Sequence, residues 1–592
     1  MEISRFIPAG KLLTIVHDAG AWYSWASPQE RFSVSAFSAN YRFWNVLCSP
    51  KLKEALLAPF PPEQKAQALR SWAAHGMDLD ASAVGAASAL KGLCSHASFS
   101  SAELYNGLAA DLSAHLDVVN RVQRSIEFSV QAPPSVREAD YSSSVSLAAY
   151  ALRTDTFFYR LTEAALSDFT IGEGGAVLFS VKSHLELLTA MSAAVAIRNR
   201  FPGAHLCLAE HRYEYFSLDT HMEKLKRSGA LLKVFDSVIE PGNGSQGLIA
   251  ALLESLHNGE RASGFINADT YKITPRTAGC RRVPPDYPSS FSPEPVLWAR
   301  LSLSGCYWGK CAFCAQGHQG EPGVPMGAFN PGEAAGYVAD CVSAGYSKFS
   351  FSDEALDLDD IKDFCALVLE KKLEIRWSCR CRCDIPVEPE TFRLMRRAGC
   401  REILFGMETV SERLQKLMCK YETSVSPAAL ERLLRTVNEA GLGIHLSFMG
   451  GFPGETPAEL KATADFVKTV LKDMKGATYV FNQFEILPGS KMFKNPAAFQ
   501  LRVEDAEGDM PLKYNYLPAA EIQSVTEETN SRLGLSRAEL SSALGWAFLD
   551  SGPVAGILRY LYFSSGHGLL FKSSESSPFE NPLQKAVPAI RA

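Results

Sequence analysis

The sequence has no excess of positive charge. Its 592 residues carry 59 Lys and Arg against 65 Asp and Glu, a formal net charge of −6. A nucleic-acid surface needs a basic patch, so a nucleic-acid partner is not expected. Long apolar runs are missing too: none reaches the roughly 18 residues a membrane span requires, so no membrane partner is expected. The first residues, Met-Glu-Ile-Ser-Arg-Phe-Ile-Pro, lack the basic start and long apolar core of a signal peptide. The fourteen cysteines are gathered in the middle of the chain and do not read as a disulfide framework. A reducing, cytoplasmic setting is the expectation. Catalytic signatures are absent from 1–165 and from 496–592. What is present is ample apolar content, 46%, at a length that suggests about three or four domains.

The cysteines that stand out lie in Ser304–Cys314, Ser-Gly-Cys-Tyr-Trp-Gly-Lys-Cys-Ala-Phe-Cys. Cys306, Cys311 and Cys314 follow C-x4-C-x2-C spacing after the apolar run Val296–Leu303, which places them on a loop behind a strand. A closed zinc site needs a fourth ligand, and no His stands at ligand spacing before His318. Three thiolates suit a four-iron cluster with one iron left open. The open iron can bind a small molecule and pass it an electron. A zinc knuckle or three structural thiols is the plainer alternative.

Two alternating patterns flank this loop. Ala176–Ile266 reads as short strands and helices: strands Ala176–Val181, His205–Leu208, Ser237–Ile239 and Gly264–Ile266, with helices Leu185–Asn199, Glu223–Ser228 and Gly244–Leu256. That order predicts a doubly wound parallel sheet, which binds ligands beyond the carboxyl ends of its strands. The contact loops are then Ser180–His184, Ala209–Arg212 and Glu240–Gly244. After the cysteines, strands are predicted at Lys348–Ser352, Ile375–Cys383, Glu402–Phe405, Ile444–Met449 and Thr478–Leu487, with helices at Pro331–Ala344, Leu358–Lys371, Pro389–Arg397, Pro427–Ala440 and Pro457–Leu471. With Val296–Leu303 they make six strands, enough for a partial (β/α)6 barrel whose site lies at the strands' carboxyl ends. Cys306, Asp353, Arg382, Glu408, Gly450 and Pro488 share that rim. Cys379, Cys381 and Cys383 alternate on one strand and read as core thiols.

The remaining segments complete a four-part layout. Residues 1–165 read as mainly helical, with periodic stretches at Pro61–Gly76 and Ser101–Val122 and a short strand at Arg31–Ala39. This part is a cap or a substrate-recruiting domain. Residues 166–280 hold the α/β unit. Residues 281–495 hold the barrel behind a proline-rich connector, Arg281–Pro295. Residues 496–592 read as a helical extension, Ala519–Leu533 and Leu540–Tyr562, with a flexible Ser- and Pro-rich tail at Ser573–Ala592.

Gly-Cys-Tyr-Trp-Gly-Lys-Cys-Ala-Phe-Cys resembles the cluster loop of radical S-adenosylmethionine (SAM) enzymes, in particular the cobalamin-dependent, peptide- and natural-product-modifying branch. The commoner family spacing is C-x3-C-x2-C; here the first gap is one residue longer. The resemblance spans roughly Ala176–Phe493. It implies an α/β fold, a doubly wound cobalamin-binding-like domain followed by a partial (β/α)6 radical SAM barrel; the mainly helical N-terminal domain and the helical C-terminal extension, read from their periodicity, fall outside it. It also implies a 4Fe-4S cluster, SAM and cobalamin as cofactors, and an external electron donor such as a flavodoxin or ferredoxin.

Site residues follow by position. Cys306, Cys311 and Cys314 would ligate the cluster, and Phe313 would lie against adenine. Asp353 and Glu354 match the acidic motif for the methionine ammonium. Trp377-x4-Arg382-x-Asp384 matches the third-strand pattern, with Arg382 toward the methionine carboxylate or ribose. Gly406-Met407-Glu408, followed by Lys420, matches the fourth, with Glu408 toward the ribose or methionine end. Phe448–Thr456 matches the fifth-strand turn, where Gly450 and Gly451 permit close backbone approach. Pro488-Gly489-Ser490 matches the end of the sixth.

By the same resemblance, Ser180, Ser183, His184, Gly242 and Asn243 would be the cobalamin contacts. The cobalt-ligating pattern Asp-x-His-x-x-Gly is met only superficially by Asp219-Thr220-His221, because Lys224 stands where the glycine should be; it is read as chance. The implied reaction is methylation of an unactivated carbon in a small-molecule or peptide substrate. Ring rearrangement or cyclisation with the same cofactors, and a non-catalytic cobalamin- or cluster-binding sensor, are the rival readings.

Overall fold

In this computed structural model the described residues are 1–7, 16–17, 33–93, 95, 102–129, 132–181, 183–210, 212–213, 216–240, 245–260, 262–267, 296–302, 306–316, 327, 329–471, 474, 477–484, 486–503, 508–510 and 516–518. They divide into two compact units, 1–15 with 23–293 and 507–512, and 16–22 with 294–506 and 513–592. The connector Arg281–Pro295 and the helices and tail expected beyond residue 518 lie outside the described residues.

The first unit is built on a six-stranded parallel sheet. Its strands are β1 (Glu2–Ile7), β2 (Ser33–Ser38), β3 (Ala176–Ser180), β4 (His205–Glu210), β5 (Ser237–Ile239) and β6 (Gly264–Ile266). The order across the sheet is β6-β5-β4-β3-β1-β2. Every residue of β3 is buried, as a strand covered on both faces requires. Phe6, Phe37, Phe169 and Phe179 meet with ring centroids 4.9–6.1 Å apart and make one of the layers under the sheet.

Residues 1–165, expected as a separate helical domain, give this sheet two of its strands and pack their helices in the same unit. The periodic stretches are helices Pro62–Ala74 and Ala102–Gln123. The chain passes from β1 outward to β2 and returns to β3 on the other side of β1. The switch in strand order therefore lies between β1 and β3, beside Ser180, the position where doubly wound sheets bind ligands.

The second unit is the partial barrel. Strands β7 (Val296–Ala299), β8 (Lys348–Phe351), β9 (Arg376–Cys381), β10 (Cys400–Glu408), β11 (Gly443–Gly450) and β12 (Ala477–Gln483) pair in sequence order, all parallel. Val16–His17 adds a short parallel edge to β7. The intervening helices start on side-chain caps or on proline. Asn330, Asp357 and Ser426 accept N–H groups of the first turns at Pro331, Leu358 and Pro427. Trp377 is wholly buried and packs on Phe351 and Phe364 at centroid distances of 5.4 and 5.9 Å. Its indole N–H donates to the Ala398 carbonyl at 2.8 Å, so the third-strand tryptophan belongs to the core. Because all six strands run the same way, their carboxyl ends lie on one rim.

Candidate active site

The cysteine loop is held by backbone bonds on both sides. Ala312, fully buried, donates its N–H to the Met418 carbonyl at 2.8 Å and accepts from Met492 N–H at 3.0 Å. Below it lies an apolar cluster of Ala312, Leu414, Met418, Phe452, Phe484 and Ile486, with Phe313 packed against it. The Cys314 N–H reaches the Cys311 carbonyl at 3.3 Å, closing a turn. Gln316 N–H donates to the Cys314 sulfur at 3.4 Å.

Asp353 braces the entry to the loop. Its carboxylate is buried and accepts the backbone N–H groups of Leu301 at 2.8 Å and Ser302 at 2.7 Å. Glu354 pairs with Arg300, with 2.6 Å from Oε2 to the guanidinium. Burial pushes Glu354 up from the usual carboxylate range, and the Arg300 charge works against that rise. The two acidic residues expected to meet a methionine ammonium therefore already have partners in the segment Arg300–Ser302 that follows β7 toward the cysteines.

The three thiols share one electrostatic neighbourhood. Burial pushes Cys314 up to about 12 and raises Cys311. The Lys420 ammonium acts in the opposite direction on both, and on Cys311 it is the strongest opposing charge, followed by Arg382. Cations so placed favour thiolate ligands. Among the described residues, no group of three or more His, Cys, Asp or Glu side chains comes close enough to hold a single metal ion. By the chemistry of its donors alone, three thiols on one loop, with no fourth ligand among the described residues, suit a four-iron cluster, which takes one thiolate per iron and leaves one iron open.

Lys420 is paired. Its Nζ donates to Glu408 Oε1 at 2.9 Å, with both side chains nearly buried, and lies 5.8 Å from the Phe313 ring centroid. Burial works against its charge, but Glu408 and Cys311 together hold it above the usual lysine value. Glu408 ends β10 with φ +63° after a register shift against β11. A side chain at Gly406 would put its Cβ 2.9 Å from Glu408 Oε1 and 3.0 Å from Lys420 Nζ, so the glycine makes room for the pair.

Arg382 is buried just past β9. It forks onto Asp384, Nε to Oδ1 at 2.9 Å and a terminal nitrogen to Oδ2 at 2.5 Å. Its guanidinium carbon lies 3.9 Å from the Trp308 ring centroid; a desolvated contact of this kind is worth about 2 kcal/mol.

Gly450 ends β11, and Gly451 follows with its N–H donated to Glu455 Oε2 at 2.6 Å. Burial pushes Glu455 up to about 7 against the Gly451 and Phe452 N–H groups, and its Oε1 is buried without a hydrogen-bond partner. Pro488 sits in the turn before Ser490, which caps Lys491–Lys494 by accepting from Phe493 N–H at 3.1 Å. Cys379 and Cys381 are core thiols with their sulfurs 4.0 Å apart, and Cys383 is buried as well.

The rim thus gathers the three cysteines with Phe313, Asp353, Glu354, Arg382, Glu408, Gly450, Gly451 and Pro488, each at the carboxyl end of a strand or on the loop that follows one. The sequence assigns no contact to Arg300 or Tyr421; Tyr307 and Trp308 stand in the cluster loop, Lys420 behind the fourth-strand pattern and Glu455 in the fifth-strand turn, all without a role of their own.

In the first unit, Ser180 ends β3 and is buried. Ser183 caps helix His184–Arg200, accepting from Glu186 N–H at 3.1 Å. His184 lies edge-on to Tyr141 at 5.7 Å, and burial lowers its pKa. Gly242 and Asn243 lie outside the described residues.

Residues 302–467 match the model of the Radical SAM superfamily. An uncharacterized methyltransferase of Pyrococcus horikoshii is 26% identical over 162 residues, 26% of this chain and 33% of its own length. The chain therefore spans about a third of that relative. The solved structure of TsrM from Kitasatospora setae, a radical SAM methyltransferase with cobalamin and a 4Fe-4S cluster bound, aligns at 13% identity and TM-score 0.44, covering 70% of this chain and 96% of that one. OxsB, a cobalamin-dependent SAM radical enzyme with aqua-cobalamin and SAM bound, aligns at 13% identity and TM-score 0.47, covering 68% of this chain and 64% of that one. No helix among the described residues is long and apolar enough to cross a membrane.

Proposed function

We propose that this chain, which carries a radical SAM domain over residues 302–467, is a cobalamin-dependent radical SAM enzyme that methylates an unactivated carbon of a peptide or natural-product intermediate. The observation that carries the reading is the cysteine triad on a loop at the carboxyl end of a six-stranded parallel half-barrel. Cys306, Cys311 and Cys314 would hold the 4Fe-4S cluster, whose chemistry when bound is to deliver an electron to SAM. Phe313 offers a ring face to adenine from the same loop. Glu408, fixed by Lys420, offers its remaining oxygen to the ribose or methionine end. Gly450, Gly451 and Pro488 supply backbone at the far side of the rim. Asp353 and Glu354 add negative charge near the methionine ammonium while they brace the loop's entry.

The first unit supports the cobalamin assignment by its topology. Its switch in strand order lies beside Ser180, where β3 ends. Ser183 spends its hydroxyl on the helix cap, so it would contribute backbone to the ligand. Gly242 and Asn243 belong to the same proposal. His184 is packed on Tyr141, and corrinoid is expected to bind without it: His184→Ala and His221→Ala should each retain cobalamin.

Product analysis with methyl-deuterated SAM tests the reaction. The fully reconstituted, reduced protein should place the labelled methyl on a carbon of the product. A rearranged or cyclised product without label would contradict methylation. Protein that cleaves SAM yet takes up no corrinoid would remove the cobalamin part alone.

A further inference from the structure

The long first gap between the cysteines carries Tyr307, Trp308, Gly309 and Lys310. Arg382 lies against this gap. Its guanidinium carbon is 3.9 Å from the Trp308 centroid, 5.4 Å from that of Tyr421 and 6.0 Å from that of Tyr307. The side chain is only 5% exposed. Two of its nitrogens are already committed to Asp384. Trp308 is fixed at its other end, where its indole N–H donates to the Cys419 carbonyl at 3.0 Å. Lys310 lies 4.5 Å from the same indole and pairs with Glu422 at 2.9 Å. Gly327 backs against Tyr307 so closely that a Cβ there would lie 2.6 Å from Tyr307 Cβ.

We propose that Arg382, oriented by Asp384, is a positioning residue that clamps the extended cysteine gap through Trp308 and Tyr307. This role takes the place of the methionine-carboxylate contact that its strand position suggests. The chemistry favours Arg alone. A planar guanidinium can fork onto a carboxylate in its plane and stack flat on an indole at the same time; an ammonium can lie over a ring, as Lys310 does, but has no plane with which to do both. The clamp serves the cluster reading above, but its geometry is a property of the chain and is testable without iron.

The full chain, free of iron, is treated with N-ethylmaleimide, and the labelling of each cysteine is followed by peptide mass spectrometry. Buried Cys341 reports on global opening. In Arg382→Lys and Trp308→Ala, Cys306 and Cys311 should label at least tenfold faster than in the wild type, with Cys341 still unreactive. Trp308→Phe keeps a ring face and should restore most of the slow labelling. After reconstitution, Arg382→Lys should hold less iron, and whatever cluster-bearing fraction remains should show an unchanged KM for SAM. Wild-type labelling in Arg382→Lys, with or without a raised KM for SAM, would overturn the clamp; the raised KM would mark Arg382 as a SAM contact. Should Arg382→Lys expose Cys341, the two Trp308 variants decide, and equal labelling in both would overturn the proposal. A wild-type protein that binds no iron would defeat the cluster reading and leave the labelling result to judge the clamp by itself.

Discussion

Lys420 keeps its ammonium out of water, and Glu408 is what allows it. Removing one partner of such a pair strands the other charge, at a cost of about 3–5 kcal/mol. Lys420→Met should therefore destabilise the fold by about that much in urea titration. The double variant Lys420→Met, Glu408→Gln should recover most of the loss, because no bare charge remains buried. Additive losses in the double variant would show that the two residues act separately. Glu455 gives a pH signature of opposite character to ordinary surface carboxylates. Burial places its folded value at about 7, above the ordinary glutamate value of 4.5, so the stability it contributes is complete below pH 4.5 and is lost as pH rises through 7. Glu455→Gln removes that dependence while keeping an acceptor for the Gly451 N–H. The variant should match the wild type near pH 4 and exceed it by up to about 3 kcal/mol at pH 8. Equal denaturation midpoints at both pH values would refute the assignment.

Two glycines separate necessity from tolerance among the elements. Gly399, immediately before β10, has φ +96°, and a Cβ there would lie 2.0 Å from the Ile375 carbonyl oxygen. Gly399→Ala should cost about 3 kcal/mol or more through strain and overlap. Gly336, inside helix Pro331–Ser343, faces open space, and Gly336→Ala should stabilise by up to about 1 kcal/mol. Thermal unfolding of the two variants should shift in opposite directions. The barrel elements were legible because each strand is a short apolar run and each helix carries its own start signal; β7 through β12 stand within a few residues of their expected positions. The membership of β1 was not legible. Glu-Ile-Ser-Arg-Phe-Ile mixes polar and apolar residues, and nothing local marks it as an interior strand of a sheet whose neighbour in that sheet, β3, lies far along the chain. The cysteine triad and the rim positions could be read from spacing and strand ends. The partners that occupy Asp353, Glu354 and Arg382 could not, since Arg300, Leu301, Ser302 and Trp308 reach them only through tertiary approach.

At the scale of the whole molecule, the chain is divided between two units with separate cores. The first unit receives a short segment from beyond the barrel. Asp509 Oδ1 accepts the Ser144 N–H at 2.6 Å at the start of helix Ser144–Ala151, and Asp509 N–H reaches the Ser142 carbonyl at 3.1 Å. Asp509→Ala should weaken the first unit by about 1–2 kcal/mol. In calorimetry, two transitions are expected, with only that of the first unit lowered; an equal shift of both would show that the units do not unfold separately. The central claim is that the second unit holds a cluster which cleaves SAM. Its most direct test is 5′-deoxyadenosine formation from SAM by the anaerobically reconstituted, dithionite-reduced full chain, beside the variant with Cys306, Cys311 and Cys314 all changed to Ala. Iron, sulfide and 5′-deoxyadenosine are expected in the wild type and none of the three in the variant; cleavage that survives the triple change would show that these thiols hold no SAM-cleaving cluster.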